Sequence, residues 1–268
     1  MSALRKAAMV FLLLLGCACV LAPRIAPASY AEQFRDLPDA SCSRQHPLGT
    51  DDLGRDCLSR LLYGTRVSLI LAPAAALLAT LLAGIIGGAA GFFGGWLASA
   101  VMAATDLVLA MPWLFLLITV RALLPLNVSP IASVTITFGL LGFLGWAGAA
   151  RILCADARTL CNSDIVLLAR ATGSGGLRLL WRHIIPNLQP ALRAQFWISV
   201  PVFVLAEANL GILGLGVAEP LPSWGSLLRE LQSYSALTSQ PAQFVPLLLL
   251  VLTVSAFQLA LKKEEIWA

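Results

Sequence analysis

Six long apolar runs leave this chain few ways to fold. They extend from Ala7 to Ala22, Val67 to Gly91, Leu107 to Leu124, Ile131 to Ala150, Phe196 to Val217 and Phe244 to Leu261. A helix that crosses the hydrocarbon core of a bilayer needs about 20 mostly apolar residues. Composition supports the same reading, with 59% of residues hydrophobic and 12% charged. A soluble domain averages about 45–50% apolar and about 25% charged. A water-soluble fold of this chain would lack the polar surface to cover its core. The expectation is an all-α, polytopic membrane protein of six transmembrane helices.

The first run has a second reading. Arg5 and Lys6 precede it, and Leu14-Leu15-Gly16-Cys17 resembles the end of a secretory or lipoprotein signal. Five further runs follow, which favours a retained first helix. Orientation comes from basic residues near helix ends. The loop from Arg151 to Arg193 carries Arg151, Arg158, Arg170, Arg178, Arg182 and Arg193 against Asp156 and Asp164, so it belongs in the cytoplasm. Lys262-Lys263 falls on the same side. The segment from Pro23 to Arg66 then lies outside with six arginines, against the rule. Its length weakens that objection, since long loops translocate largely regardless of charge. An even number of spans puts both termini in the cytoplasm. The organisation expected is a first helix plus an extracytoplasmic excursion over 1–65, a transmembrane domain over 66–262 with a cytoplasmic loop at about 151–193, and a cytoplasmic tail over 263–268.

Several functions are excluded or weakened. No GxxxxGK[ST], HExxH or GxSxG stretch occurs. The net charge of +4 does not suggest nucleic acid. The six cysteines show no CxxC or CxxH spacing and read as small apolar filler, and no metal site is expected. Cys42 and Cys57 are able to pair if their side is oxidising, but sequence does not give their distance.

The loop between the fourth and fifth runs is the most informative stretch. Ile165 to Thr172 has the pattern of a short amphipathic helix, which Gly173 to Gly176 would stop. A second helix from Leu177 to Ile185 would run to Pro186. Such a loop is either a docking element or an ordinary solvated connection. Ala169-Arg170-Ala171-Xaa-Gly173, followed by Arg182-His183-Ile184-Ile185-Pro186-Asn187, resembles the coupling-loop signature of type I ABC importer permeases, often called the EAA motif.

Three further stretches are similar to one branch of that family, the dipeptide/oligopeptide/nickel permeases. The first runs from His46 through Asp51, Asp52, Gly54, Arg55 and Asp56 to Leu69. The second is Gly91 to Trp96 with Thr105 to Pro112. The third is Glu207 to Val217 with Pro222-Ser223-Trp224-Gly225. The resemblance covers nearly the whole chain from His46 to Leu261. It implies a type I ABC importer permease fold and a non-catalytic subunit. It implies a second homologous permease, two ABC ATPase subunits that hold the ATP and magnesium, and an extracytoplasmic solute-binding protein. The substrate implied is a di- or oligopeptide, with nickel or another small solute as the alternative. Leu167, Leu168, Ala169, Arg170, Ala171, Gly173, Arg182, His183 and Pro186 would form the ATPase-coupling loop. The chain departs from the family at Leu167, where glutamate is usual, and at Ala98 and Ala103, where an acidic and a basic residue are common.

Ionisable residues inside apolar runs default to functional candidates. Glu207 either faces the translocation path as a gate or makes structural hydrogen bonds. Asp106 reads as a charge at a helix entrance. Pro112, like Pro73 and Pro201, is positioned to kink its helix. The cluster Asp51, Asp52, Gly54, Arg55 and Asp56 either contacts a partner protein or forms internal salt bridges. Glycines at 84, 88, 91 and 95, and at 139, 142, 145 and 148, read as helix-packing positions. Two other classes remain for comparison: a membrane-embedded enzyme, which needs paired polar groups at one depth, and a secondary transporter, for which Glu207 and Asp106 are the ion-coupling candidates.

Overall fold

A computed structural model describes residues 3–123, 128–232 and 241–261. Every regular element in it is helical: α1 (Ala3–Ile25), α2 (Cys57–Phe93), α3 (Gly95–Ala110), α4 (Trp113–Leu123), α5 (Pro130–Leu144), α6 (Trp146–Cys161), α7 (Asp164–Ala171), α8 (Gly176–Leu179), a π turn (Leu180–Ile184), α9 (Ile185–Ile212), α10 (Trp224–Glu230), a 3₁₀ turn (Pro241–Phe244) and α11 (Val245–Leu261). The tail beyond Leu261, expected in the cytoplasm, lies outside the described residues.

Four helical stretches are long and apolar enough to cross a bilayer: Ala3–Ile25, Cys57–Phe93, Pro130–Cys161 and Leu180–Ile212. α3 and α4 pass that test only as a pair, bent by 87°. α11 is a mainly apolar helix of 17 residues, about 26 Å at 1.5 Å per residue, slightly short of the roughly 30 Å hydrocarbon core.

The expected third span, Leu107 to Leu124, is therefore not one helix. Pro112 lacks an amide proton and disfavours helical backbone in the residue before it. Met111 is accordingly extended (φ −84°, ψ 135°), and the chain turns there. Asp106 is corrected with it. The residue lies near the C-terminal end of α3, not at a helix entrance, because α3 begins eleven residues earlier at Gly95. The second span is longer than its apolar core because Asp56 caps it, its Oδ2 accepting from the Ser59 amide at 2.7 Å. Pro186 does not end a helix. The π turn before it shifts the hydrogen bonding, with the Ile185 amide donating to Leu180 O. Pro186 then falls in the first turn of α9, where a missing amide proton is tolerated.

The chain divides into two compact units, Met1–Ala72 with Val120–Phe138 and Pro201–Ala268, and Pro73–Thr119 with Gly139–Val200. In the first, α1 packs along α11. Arg5 Nε donates to Ala260 O at 3.1 Å, and Cys19 Sγ donates to Thr65 O at 3.6 Å. In the second, α3 packs on α6. A cluster of Ala83, Ala150, Leu153, Ala157, Val166 and Ile184 forms its core. A Cβ on Gly87 would come within 2.2 Å of Ala150 O, and one on Gly91 within 2.5 Å of Cys154 O, so these glycines let the backbones of α2 and α6 touch. Gly139 and Gly148 meet nothing within 4 Å.

Candidate functional site

α7 is short, and isolated helices of its length are unstable. It is held at one side by Val166, which is buried with Ala157, Cys161, Leu179 and Ile184. Its far end closes on Gly173, at φ +83°. There the Gly173 amide donates to Arg170 O and the Ser174 amide to Ala169 O, both at 3.0 Å. This pair of bonds is the Schellman termination that glycine allows. Anchoring through Val166 turns Ile165 and Leu168 outward, 65% and 68% exposed, with Trp181 of the π turn 66% exposed. Leu167, Arg170, Ala171, Gly173, Arg182 and Pro186 are exposed, while Ala169 and His183 are half-buried. Asn187 Nδ2 donates to His183 O at 2.6 Å. The result is a platform packed on one side, with an apolar outer edge and arginines beside it.

On the same unit, Asp106 forms an ion pair with Arg151 of α6, both side chains largely exposed. Arg151, expected at the start of a loop, lies within α6, and nothing local marked Asp106 on α3 as its partner.

Glu207 is fully buried on α9. Ser68 Oγ donates to its Oε2 at 3.0 Å and accepts from the Trp224 amide at 3.1 Å. Trp224, also fully buried, donates from Nε1 to Thr65 Oγ1 at 2.9 Å. Gly211 and Gly225 bring α9 and α10 into backbone contact, since a Cβ on Gly211 would lie 2.3 Å from Gly225 Cα. Glu207 thus sits where α2, α9 and α10 meet, and Ser223 caps α10 through a reciprocal bond with Ser226.

The charged segment before α2 is folded around its own charges. Asp51 Oδ1 accepts from the Leu53 and Arg55 amides, at 3.0 and 2.8 Å. Its Oδ2 accepts from Arg55 Nε at 2.7 Å and Arg60 Nη1 at 2.6 Å. Arg55 Nη1 reaches Glu219 Oε2 at 2.7 Å, and Arg60 reaches Glu219 Oε1 at 3.0 Å and Glu230 Oε1 at 2.6 Å. His46 Nδ1 and Asp56 Oδ1 are 2.9 Å apart, both side chains buried. Gly54, at φ +72°, packs so closely that a Cβ would meet Phe34 O at 2.2 Å. Asp52 alone of the predicted cluster points to solvent. Burial pushes the Glu230 carboxyl up to about 7, against the pull of Arg60. Cys42 and Cys57 are free thiols. Sequence reasoning missed Glu219 and Glu230, because nothing local marks two carboxylates more than 150 residues from Asp51 as its neighbours.

Residues 66–262 match the family described as binding-protein-dependent transport system inner membrane component. Over 228 residues the chain is 32% identical to the dipeptide transport system permease protein DppC of Bacillus subtilis (strain 168), covering 85% of this chain and 69% of that one. Over 251 residues it is 33% identical to the oligopeptide transport system permease protein OppC of the same organism, covering 93% and 79%. Over 254 residues it is 31% identical to the glutathione transport system permease protein GsiD of Pectobacterium atrosepticum, covering 94% and 82%. The chain belongs to the inner-membrane components of binding-protein-dependent transport systems, and is a non-catalytic permease subunit of an ABC importer.

Proposed function

We propose that this permease carries di- or oligopeptides, passed to it by an extracytoplasmic binding protein. The relatives named for dipeptide, oligopeptide and glutathione transport support that substrate class. The subunit pairs with a second permease and with two ATPase subunits, which bind ATP and magnesium. It crosses the membrane six times: α1, α2, the bent α3–α4 pair, α5–α6, α9 and α11. Both termini lie in the cytoplasm. Residues 1–65 supply the first helix and the outer excursion, and 66–262 the transport domain.

α7 is the coupling element. Leu167, Leu168, Ala169, Arg170, Ala171, Gly173, Arg182, His183 and Pro186 belong to the surface that meets the ATPase. The observation that carries this reading is the outward edge of Ile165, Leu168 and Trp181 on a helix whose opposite side is packed into the core. Large apolar side chains at the water-facing end of a membrane protein mark a docking surface. With leucine at 167, the contact is more apolar than a glutamate would make it. Asp51, Gly54, Arg55 and Asp56 shape the outer loop, which leaves Asp52 exposed, and Glu207 ties α9 to α2. Pro112 sets the bend in the third span, and the Asp106–Arg151 pair faces the translocation path.

The test is co-purification of the ATPase with the wild-type subunit and with Gly173→Asp, both expressed alongside the neighbouring genes. Retention by the wild type and loss in the variant is expected. An ATPase retained equally by both would remove α7 from the interface.

A further inference from the structure

A cavity of about 640 Å³ opens beside the exit of α9, within the roughly 300–1,000 Å³ typical of small-molecule sites. Six charged side chains line it: Asp52, Arg55, Arg121, Glu219, Arg229 and Glu230. Their charges are not equally engaged. Arg55 is bonded to Asp51 and Glu219, and Glu230 to Arg60. Arg121, buried in the wall, donates to Ser133 Oγ at 3.3 Å. Ser133 Oγ in turn accepts from the Ala218 amide and donates to Gly216 O, which fixes the loop that forms one side of the cavity.

Arg229 and Asp52 differ from these. Both are exposed, and among the described residues neither is in an ion pair. They have opposite charge, line the same cavity, and do not pair with each other. Arg229 is nonetheless placed: its guanidinium rests against the bare Cα of Gly214, where a Cβ would come within 3.2 Å of it. Gly214 has φ +77°, so that bare surface is a requirement of the backbone.

We propose that this cavity is a binding site for a small zwitterion, the guanidinium of Arg229 taking a peptide's terminal carboxylate and Asp52 its terminal ammonium. A guanidinium holds a carboxylate in a fixed, charge-assisted geometry. The other four charged groups, Arg55, Arg121, Glu219 and Glu230, are two of each sign and internally bonded, so the rest of the lining favours a ligand of neither net sign. The choice of a peptide as the zwitterion rests on the proposed substrate class.

The test is calorimetric titration of glycylglycine into the assembled transporter in nanodiscs, without its binding protein. Saturable binding is expected. It should weaken about tenfold or more in Arg229→Gln and in Asp52→Asn. It should weaken similarly when the probe is N-acetylated or C-amidated. Both substituted side chains are exposed, so the variants should melt like the wild type. Absence of saturable binding overturns the proposal. So does binding unchanged in both variants, or reduced in only one, because a zwitterion requires both charges. Uptake of glycylglycine by the complete transporter tests the peptide reading separately. Binding without uptake would sink peptide import and leave the site standing; uptake without binding would do the reverse.

Discussion

Arg60 donates from Nη1 to Asp51 Oδ2 at 2.6 Å, and both side chains are closed off from solvent. One residue belongs to α2 and the other to the loop before it, so the bond joins a helix to the segment that starts it. Removing one partner of a buried pair costs about 3–5 kcal/mol where the other charge is left unpaired, but here Arg55 still faces Asp51, and Glu219 and Glu230 still face Arg60. Arg60→Ala should therefore destabilise the protein by less, about 1–3 kcal/mol for the lost buried bonds, and Asp51→Asn should also destabilise it. Unfolding in detergent, followed by intrinsic tryptophan fluorescence, reads both. An Arg60→Ala variant as stable as the wild type would mean that the network contributes nothing.

The same network gives a dependence on pH. Glu230 titrates at about 7, its carboxyl raised from 4.5 chiefly by burial, beside Arg60, Asp51 and Arg55. A carboxyl whose pKa is higher folded than unfolded binds its proton more tightly in the native state. Its contribution to stability is full at low pH and is lost as pH rises from about 4.5 to about 7. Melting temperature measured from pH 5 to pH 8 should fall less steeply in Glu230→Gln than in the wild type. Parallel curves would show that this carboxyl does not titrate in that window.

On α7, exposure and anchoring make opposite predictions for neighbouring residues. Leu168→Asp changes a side chain in solvent, and such substitutions usually alter stability by within about 0.5 kcal/mol. It should leave melting unchanged while abolishing ATPase co-purification. Leu153→Ala, in the core beneath, should cost about 2–5 kcal/mol. A Leu168→Asp subunit that still retains the ATPase would place the interface elsewhere.

Gly87 and Gly148 should respond differently to the same added methyl group. Gly87→Ala drives a Cβ toward Ala150 O and forces backbone to move. Overpacking of this kind costs about 1–3 kcal/mol. Gly148→Ala meets open space and should be neutral or slightly stabilising, since alanine favours helix. Thermal unfolding of the two variants side by side decides it.

What the sequence disclosed follows from the range of the forces involved. Apolar runs and the break at Gly173 are local: four of the runs lie largely in helices long and apolar enough to cross a bilayer, and α7 ends at Gly173. The bend at Pro112 inside the expected third span was also local, but hydrophobicity alone masked it: Leu107 to Leu124 is apolar on both sides of the proline, and a hydropathy reading runs straight through the bend. The π turn was hidden for a related reason, since Pro186 signals a break without saying whether the preceding turn can widen to accommodate it. The Asp51 cluster was visible, yet its partners Glu219 and Glu230 come from the far side of the sequence. Electrostatic partners chosen by tertiary folding leave no spacing to read.

Asp56 touches two structures with one carboxylate. Oδ2 caps the first turn of α2, and Oδ1 meets His46 ten residues upstream. The segment before α2 and that helix therefore have no seam between them. A chimera that takes the segment before α2 from a relative and joins it at residue 57 would import that segment's own helix start with it. In this chain the cap, its histidine and the beginning of the helix form one cassette, and exchange of the segment is expected to succeed only when all three move together.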